Sequence, residues 1–359
     1  MATVRAISGS GSKGPACFLV EAHGARVLFD LGYGPQPGLW PDLAGVGHVD
    51  AIVLSHGHND HAGGLQLADR IGNPPVHASA AVLATLDSAL KTHELPVHGT
   101  AGVCGITLHT GRNGHAPGGI WLHADIGGGL LYTGDYSIES LLYTYDEPPA
   151  AGTVILDASY GDYDRPLEAC IEALSPVFAA EASLLPVPAR GRGPEIALHL
   201  AQSQGQLPAI GADLRAALRD MVATPQAQGV RPHVNDTLAR IADEAPALDT
   251  ISGPALAGAA DGGSGESAAL LAHWETANDH PIVFTGYLPP GTPAQRLTAS
   301  GRARYMRWNA HPRLSDNVAL VRATGARQVL PAFGDRRHEA AWTRAFAPAR
   351  IVFGEQIEL

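Results

Sequence analysis

The segment Ser55-His56-Gly57-His58-Asn59-Asp60-His61 constrains this chain more than any other. Three imidazoles and a carboxylate crowd into six positions between an apolar run, Val49 to Leu54, and a helix-like stretch. His56 and His58, two residues apart, project to one side of an extended backbone, and Asp60 and His61 turn the corner after them. Nitrogen and carboxylate donors at this spacing suit a borderline metal such as Zn²⁺. A single histidine is usually structural; this cluster is not. The segment follows a strand and precedes a helix, so its side chains can converge at a strand's carboxyl end.

The rest of the chain can supply the sheet around that strand. It has 359 residues, 45% of them hydrophobic, enough for a large buried core and incompatible with disorder. No window approaches about 18 uninterrupted apolar residues, so no transmembrane helix and no membrane partner are expected. The opening MATVRAISGSGSKG lacks the apolar core of a signal peptide. Cys17, Cys104 and Cys170 are scattered and odd in number, which suits a reduced compartment; a cytoplasmic location is the expectation. The formal charge of -11 argues mildly against a nucleic-acid ligand. That total is an average. From Arg296 to Leu359 eleven arginines face five acids, a local +6, so a polyanion is confined to one region rather than excluded.

Short strands are expected at Ala16–Glu21 and Arg26–Asp30, joined by a hairpin at His23-Gly24, then at 49–54, 103–109, 119–125, 129–133 and 153–157. Residues 78–91 carry helical apolar spacing through Val82, Leu83, Leu86 and Leu90. After residue 164 helical patterns dominate, at 165–182, 194–204, 212–223 and 234–245, with a strand at 183–188. Gly253 to Ser267 reads as a small-residue loop or linker. Strands return at 281–285, 303–308 and 327–331, with helices at 314–323 and 336–346. A β-rich shell that is interrupted and then resumed suggests an inserted domain.

Two further residues fall at strand ends in the right order. His115 lies in the tight loop Asn113-Gly114-His115-Ala116-Pro117-Gly118-Gly119, and Asp135 closes Tyr132-Thr133-Gly134-Asp135. The ensemble resembles the metallo-β-lactamase superfamily. That resemblance implies a four-layer αβ/βα sandwich with a metal site at one edge. It implies that His56, His58 and His115 hold one ion, that Asp60 and His61 help hold a second, and that Asp135 bridges them. One or two zinc ions are implied, with manganese as an alternative. Such ions lower the pKa of water towards about 7 and neutralise phosphoryl charge; the resemblance gives Asp60 a further role as proton acceptor.

The second half resembles the β-CASP nuclease group, which includes RNase J and the pre-mRNA cleavage endonuclease. Ile155-Leu156-Asp157-Ala158-Ser159-Tyr160-Gly161-Asp162 is similar to the group's acidic strand-end motif, and Leu184 to Glu195 to its strand–Gly-Arg–helix segment. Trp308-Asn309-Ala310-His311 stands where the group carries a strand-end histidine. By this resemblance Asp157 and His311 join Asp60 as catalytic residues, with His311 touching the scissile phosphate or protonating the leaving group. Ser159, Tyr160 and Arg192 contact substrate. The expected division is a first metallo-β-lactamase part at 1–164, an inserted α/β β-CASP-like cap at 165–295 and a returning part at 296–359.

The chain departs from the group in places. Where the group ends a strand with His-Gly-Glu, this chain has Phe333-Gly334-Asp335, and phenylalanine cannot ligate a metal. The second ion is then weak or absent, or His338 replaces the missing ligand, or the chain resembles DNA-acting members with an apolar residue there. Pro194 and Pro312-Arg313 also break the group's pattern. The function expected is a phosphodiesterase acting on nucleic acid, RNA slightly ahead of DNA. The alternatives are a hydrolase of a small phosphorylated, ester or thioester metabolite with the cap as lid, and a non-catalytic binding subunit. A homodimer is compatible with all of them.

Overall fold

In a computed structural model the described residues are 2–203, 205–249, 251–277, 280–353 and 356–359. The chain forms two compact units. The first comprises Met1–Ile138, Thr144–Asp164 and His311–Leu359; the second comprises Glu139–Tyr143 and Arg165–Ala310. The cap expected at 165–295 lies within the second unit, which continues through Ala310.

Two seven-stranded sheets build the first unit. One runs in the order Ile357–Glu358, Thr3–Ser8, Cys17–Ala22, Ala25–Phe29, Ala51–Val53, Val76–Ser79, Thr92–Leu95. The other runs Arg350–Ile351, Gln328–Ala332, Thr153–Asp157, Leu130–Tyr132, Ile120–Ala124, Ile106–Arg112, Gly99–Val103. Side-chain alternation sorts the layers. Val27, Phe29 and Val53 of the first sheet meet Leu122, Tyr132, Ile155 and Leu330 of the second in a shared core. Leu28 and Ile52 face the other way, against Leu65, Ile71 and Val82. On the second sheet Val154, Leu156 and Val329 pack under Leu320, Val321 and Trp342. Strands buried on both faces and helices outside them give the expected four-layer αβ/βα sandwich. The hairpin expected at His23-Gly24 is present: both residues have positive φ, 54° and 81°, as the right-handed twist of the flanking strands requires.

The helix expected over 78–91 is not formed. Val76–Ser79 is a strand and only Ala80–Leu83 is helical. Side chains there compete for the backbone: Thr85 Oγ1 donates to the Val82 carbonyl at 2.7 Å, and Asp87 Oδ1 accepts from the Ala89 amide at 2.9 Å, closing turns instead of a second helical turn.

The second unit carries a parallel sheet, with Gly253–Ala257 between Ala182–Pro186 and Ala209–Ile210. This corrects the reading of 253–267 as loop throughout. The strand is fully buried but has none of the β-branched or aromatic residues that mark a strand in sequence. Helices Leu167–Phe178, Arg192–Ser203, Ala212–Ala223, Asn235–Glu244, Gly265–Ala277 and Pro293–Ala299 belong to the same unit. No described helix is long and apolar enough to cross a membrane.

Candidate metal centre

The ends of several strands of the first unit deliver the donors to one place. His56 and His58 follow strand Ala51–Val53, and Asp60 and His61 lie in the single helical turn Asn59–Ala62. His115 sits in a loop closed by Asn113, whose amide donates to the Gly119 carbonyl at 3.1 Å and whose Oδ1 accepts from the His115 amide at 3.1 Å. Asp135 follows strand Leu130–Tyr132 through Gly134, which has a φ of 54°. A Cβ on Gly134 would stand 2.7 Å from Ser55 Cβ, so only glycine lets the Asp135 turn come this close to the histidine loop.

Beneath the donors lies Asp30, which belongs to no motif in the sequence. Its carboxylate is fully buried at the end of strand Ala25–Phe29, with a φ of 58°. It accepts from the Ser55 amide and the Ser55 hydroxyl, each at 2.7 Å, and from the Tyr132 hydroxyl at 2.5 Å. His61 Nδ1 donates to it at 2.7 Å. Because the Ser55 hydroxyl is spent on Asp30, Ser55 Oγ accepts from His56 Nδ1 at 3.0 Å. Asp30 thus fixes both tautomers and leaves the Nε2 lone pairs of His56 and His61 pointing away from it, the arrangement that metal-ligating histidines adopt.

Those lone pairs converge. His58 Nδ1 lies 3.1 Å from His56 Nε2 and 3.1 Å from His115 Nε2. Donors about 2.0–2.1 Å from a tetrahedral ion stand about 3.3 Å apart, so three nitrogens at this spacing fit one shared cation. Asp135 Oδ2 closes the set, 3.9 Å from His56 Nε2 and 3.6 Å from His115 Nε2. Its other oxygen, Oδ1, faces His61 Nε2 at 3.3 Å; both atoms are buried and neither has a hydrogen-bond partner. A buried pair of this kind fits a shared positive charge, a proton or a cation. Asp60, His61 and Asp135 form a second convergent group, and Asp135, Asp157 and His311 a third.

The electrostatics are strongly polarised. Burial, with His61 and His58 alongside, pushes the His56 pKa well below its ordinary value and keeps that ring neutral. Burial also opposes charge on His61, but Asp135 and Asp30 outweigh it and hold its pKa well above the usual range, so an ion at Nε2 would have to displace a proton that faces Asp135. Burial would raise Asp135, yet His61, His311 and Lys13 hold its carboxyl well below the ordinary value.

Comparison with known proteins agrees with this geometry. Residues 12–175 match the family model described as the metallo-beta-lactamase superfamily. Over this span the chain resembles a metallo-β-lactamase domain. Endoribonuclease YSH1 of Saccharomyces cerevisiae is 27% identical over 54% of this chain and 32% of its own. Ribonuclease TTHA0252 of Thermus thermophilus is 30% identical over 40% of each chain. Transcription termination factor FttA of Methanosarcina mazei is 24% identical over 58% of this chain and 40% of its own. The chain therefore spans about a third to two fifths of the length of these relatives, and with them it resembles the β-CASP group. A solved protein of unknown function from Enterococcus faecalis V583 matches along the whole of both chains at a TM-score of 0.61 and 14% identity, which shows the shared fold.

In the first unit His311 and Asp157 adjoin the clustered donors. His311 Nδ1 lies 2.9 Å from Asp157 Oδ2 and 3.7 Å from Asp135 Oδ2. The Tyr160 ring meets the His311 ring edge-on at 5.2 Å, and the Ser159 amide donates to Asp157 Oδ1 at 3.0 Å. Arg192 belongs to the second unit, where its Nε donates to Thr285 Oγ1 at 3.0 Å. Phe333 is buried beside the second convergent group, its ring 5.0 Å from that of His61. His338 does not compensate for it: its Nδ1 pairs with Asp162 Oδ1 at 3.1 Å, and it sits in the helical turn Arg336–His338.

Proposed function

We propose that the chain is a metal-dependent phosphodiesterase acting on RNA, with zinc as the preferred ion and DNA as the second substrate class. One observation carries the reading: His56, His58, His115 and Asp135 bring their donor atoms within 4.8 Å of one another at the strand ends of this domain. An ion held there supplies a nucleophilic water at neutral pH and neutralises phosphoryl charge. The residues around it divide the remaining work. Asp60, partly exposed at the mouth of the set, accepts the proton of the attacking water. His311, held by Asp157, gives a proton to the departing oxygen. Ser159 and Tyr160 flank that imidazole and its carboxylate, and are positioned to contact the substrate. The names of the ribonuclease relatives favour RNA as the polymer.

A second reading, hydrolysis of a small phosphorylated, ester or thioester metabolite, is favoured by the departures at Pro194 and Pro312-Arg313. Labelled single-stranded RNA and DNA, incubated with zinc-loaded protein, separate the two. Shortening of RNA that Asp60→Ala abolishes is the expected result. Cleavage of bis-p-nitrophenyl phosphate with every oligonucleotide intact would establish the small-substrate reading instead.

A further inference from the structure

The chain contains only two lysines against 22 arginines, and one of them, Lys13, reaches the metal centre. Its side chain is only 16% exposed. The ammonium lies 4.0 Å from Asp60 Oδ2, donates to Ser159 Oγ at 3.3 Å and sits 5.6 Å from the centroid of the Phe333 ring. Asp135, Asp60 and Asp157 are the carboxylates whose charge acts on it. Two of those three carboxylates, Asp60 and Asp135, are the ones that the resemblance assigns to a second ion, and Phe333 stands where that ion's last ligand is expected.

The loop that carries Lys13 is fastened on both sides. The Phe333 amide donates to the Gly9 carbonyl at 2.7 Å, Ser10 bridges Ala332, and the Ala16 amide donates to the Asp60 carbonyl at 2.8 Å. Lys13 is therefore held by backbone contacts between the very segments that border the second group of donors. Its own side-chain contacts are long, so its three N–H donors are not saturated by a tight ion pair.

We infer that Lys13 is the second cation of this centre, taking the place of a second metal ion and binding a non-bridging phosphoryl oxygen of the substrate together with Ser159. Phe333 offers no ligand on this side of the centre, and Lys13 brings a positive charge to the same place. A divalent ion and an ammonium beside the same carboxylates repel each other, so a lysine here enforces a one-ion stoichiometry. A compact, strongly hydrated ammonium, unlike the planar guanidinium used elsewhere in the chain, fits a point-charge role.

The inference rests on the metal-dependent reading above, and metal counting distinguishes the failure of each. Protein loaded with excess zinc, dialysed and analysed by plasma mass spectrometry should hold one ion per chain. Phe333→His alone should still hold one, and Lys13→Met with Phe333→His should hold two. Because backbone contacts anchor the loop, Lys13→Met should fold, which circular dichroism checks. It should lower kcat on bis-p-nitrophenyl phosphate about 100-fold, the loss expected for one preorganised donor. Two ions in the unaltered protein, two in Phe333→His alone, or one in the double variant would each overturn the inference while leaving a metal centre in place. No ion in the unaltered protein would overturn the metal reading itself.

Discussion

His311 Nδ1 and Asp157 Oδ2 lie 2.9 Å apart although 154 residues separate them in sequence. The carboxylate is itself held in place: Ser159 and Tyr136 amides donate to it, and the Asn317 side chain donates to the Asp157 carbonyl at 2.9 Å. Asn317 in turn accepts from the Tyr136 hydroxyl at 2.8 Å. With Nδ1–H turned towards Asp157, the imidazole presents Nε2 in one defined direction.

A proton donor to the leaving group matters only when that group leaves as a poor anion. His311→Ala should therefore lower kcat about 10²–10³-fold on an RNA or alkyl phosphodiester, and much less on bis-p-nitrophenyl phosphate, whose leaving group needs no proton. Asp157→Asn should follow the same split, because an amide can stabilise the wrong tautomer. Equal losses on both substrates would assign the pair to holding the metal set rather than to proton transfer.

Asp30 touches no substrate in this account, yet it sets the direction of two ligand rings through Ser55 and His61. Asp30→Asn should weaken zinc affinity about 10–100-fold, measured by competition with a chromophoric chelator. Retention of full affinity would show that the ring orientations are set by the loop backbone alone.

The contrast between Asp30 and the histidine motif explains what a sequence can reveal here. His56, His58, Asp60 and His61 are legible because their spacing along the chain is already close to their spacing in space. Asp30 and Lys13 are single residues of common types, separated from the motif by 26 and 43 positions, and only folding brings them to it. The sandwich was legible from short continuous apolar runs such as Arg26–Asp30 and Thr153–Asp157. Strand Gly253–Ala257 was not, because Gly-Pro-Ala-Leu-Ala has no β-branched or aromatic residue, and its glycine and proline are depleted in strands. The helix wrongly expected at 78–91 has the reverse cause: the apolar spacing is present, but Thr85 and Asp87 bind the backbone locally.

In the second unit Glu195 is a buried carboxylate that gathers three donors. The Ser140 hydroxyl donates to it at 2.8 Å and the Trp308 indole at 2.9 Å, with the Leu141 amide as the third. Removing it strands an indole N–H and a backbone N–H in the interior, so Glu195→Ala should destabilise the protein by about 2–4 kcal/mol. Glu195→Gln should recover only part of this, since its amide N–H must oppose one of the existing donors. Urea midpoints with unchanged slopes test both; a fully recovered Gln variant would mean that Glu195 is held in its protonated form.

The ion pair of Asp146 with Arg112 gives a pH signature away from the metal centre. Arg112 Nε and Nη2 each donate to the carboxylate at 2.8 Å and its amide donates at 2.9 Å. Burial opposes ionisation of Asp146, but these hydrogen bonds and the charge of Arg112 outweigh it and hold its pKa below the ordinary value. A carboxyl depressed on folding contributes stability above its unfolded pKa of about 3.9, and that contribution is lost as pH falls through the lower folded value. With Arg112 32% exposed, solvent screening limits the effect to about 1 kcal/mol at pH 7. The stability gap between the unaltered protein and Asp146→Asn should therefore be widest at pH 7, still present at pH 5, and shrink progressively below about pH 4 as the carboxyl takes up its proton. Urea titrations at pH 7, 5 and 3 measure it, and a gap that does not change with pH would mean that packing, not charge, holds this pair.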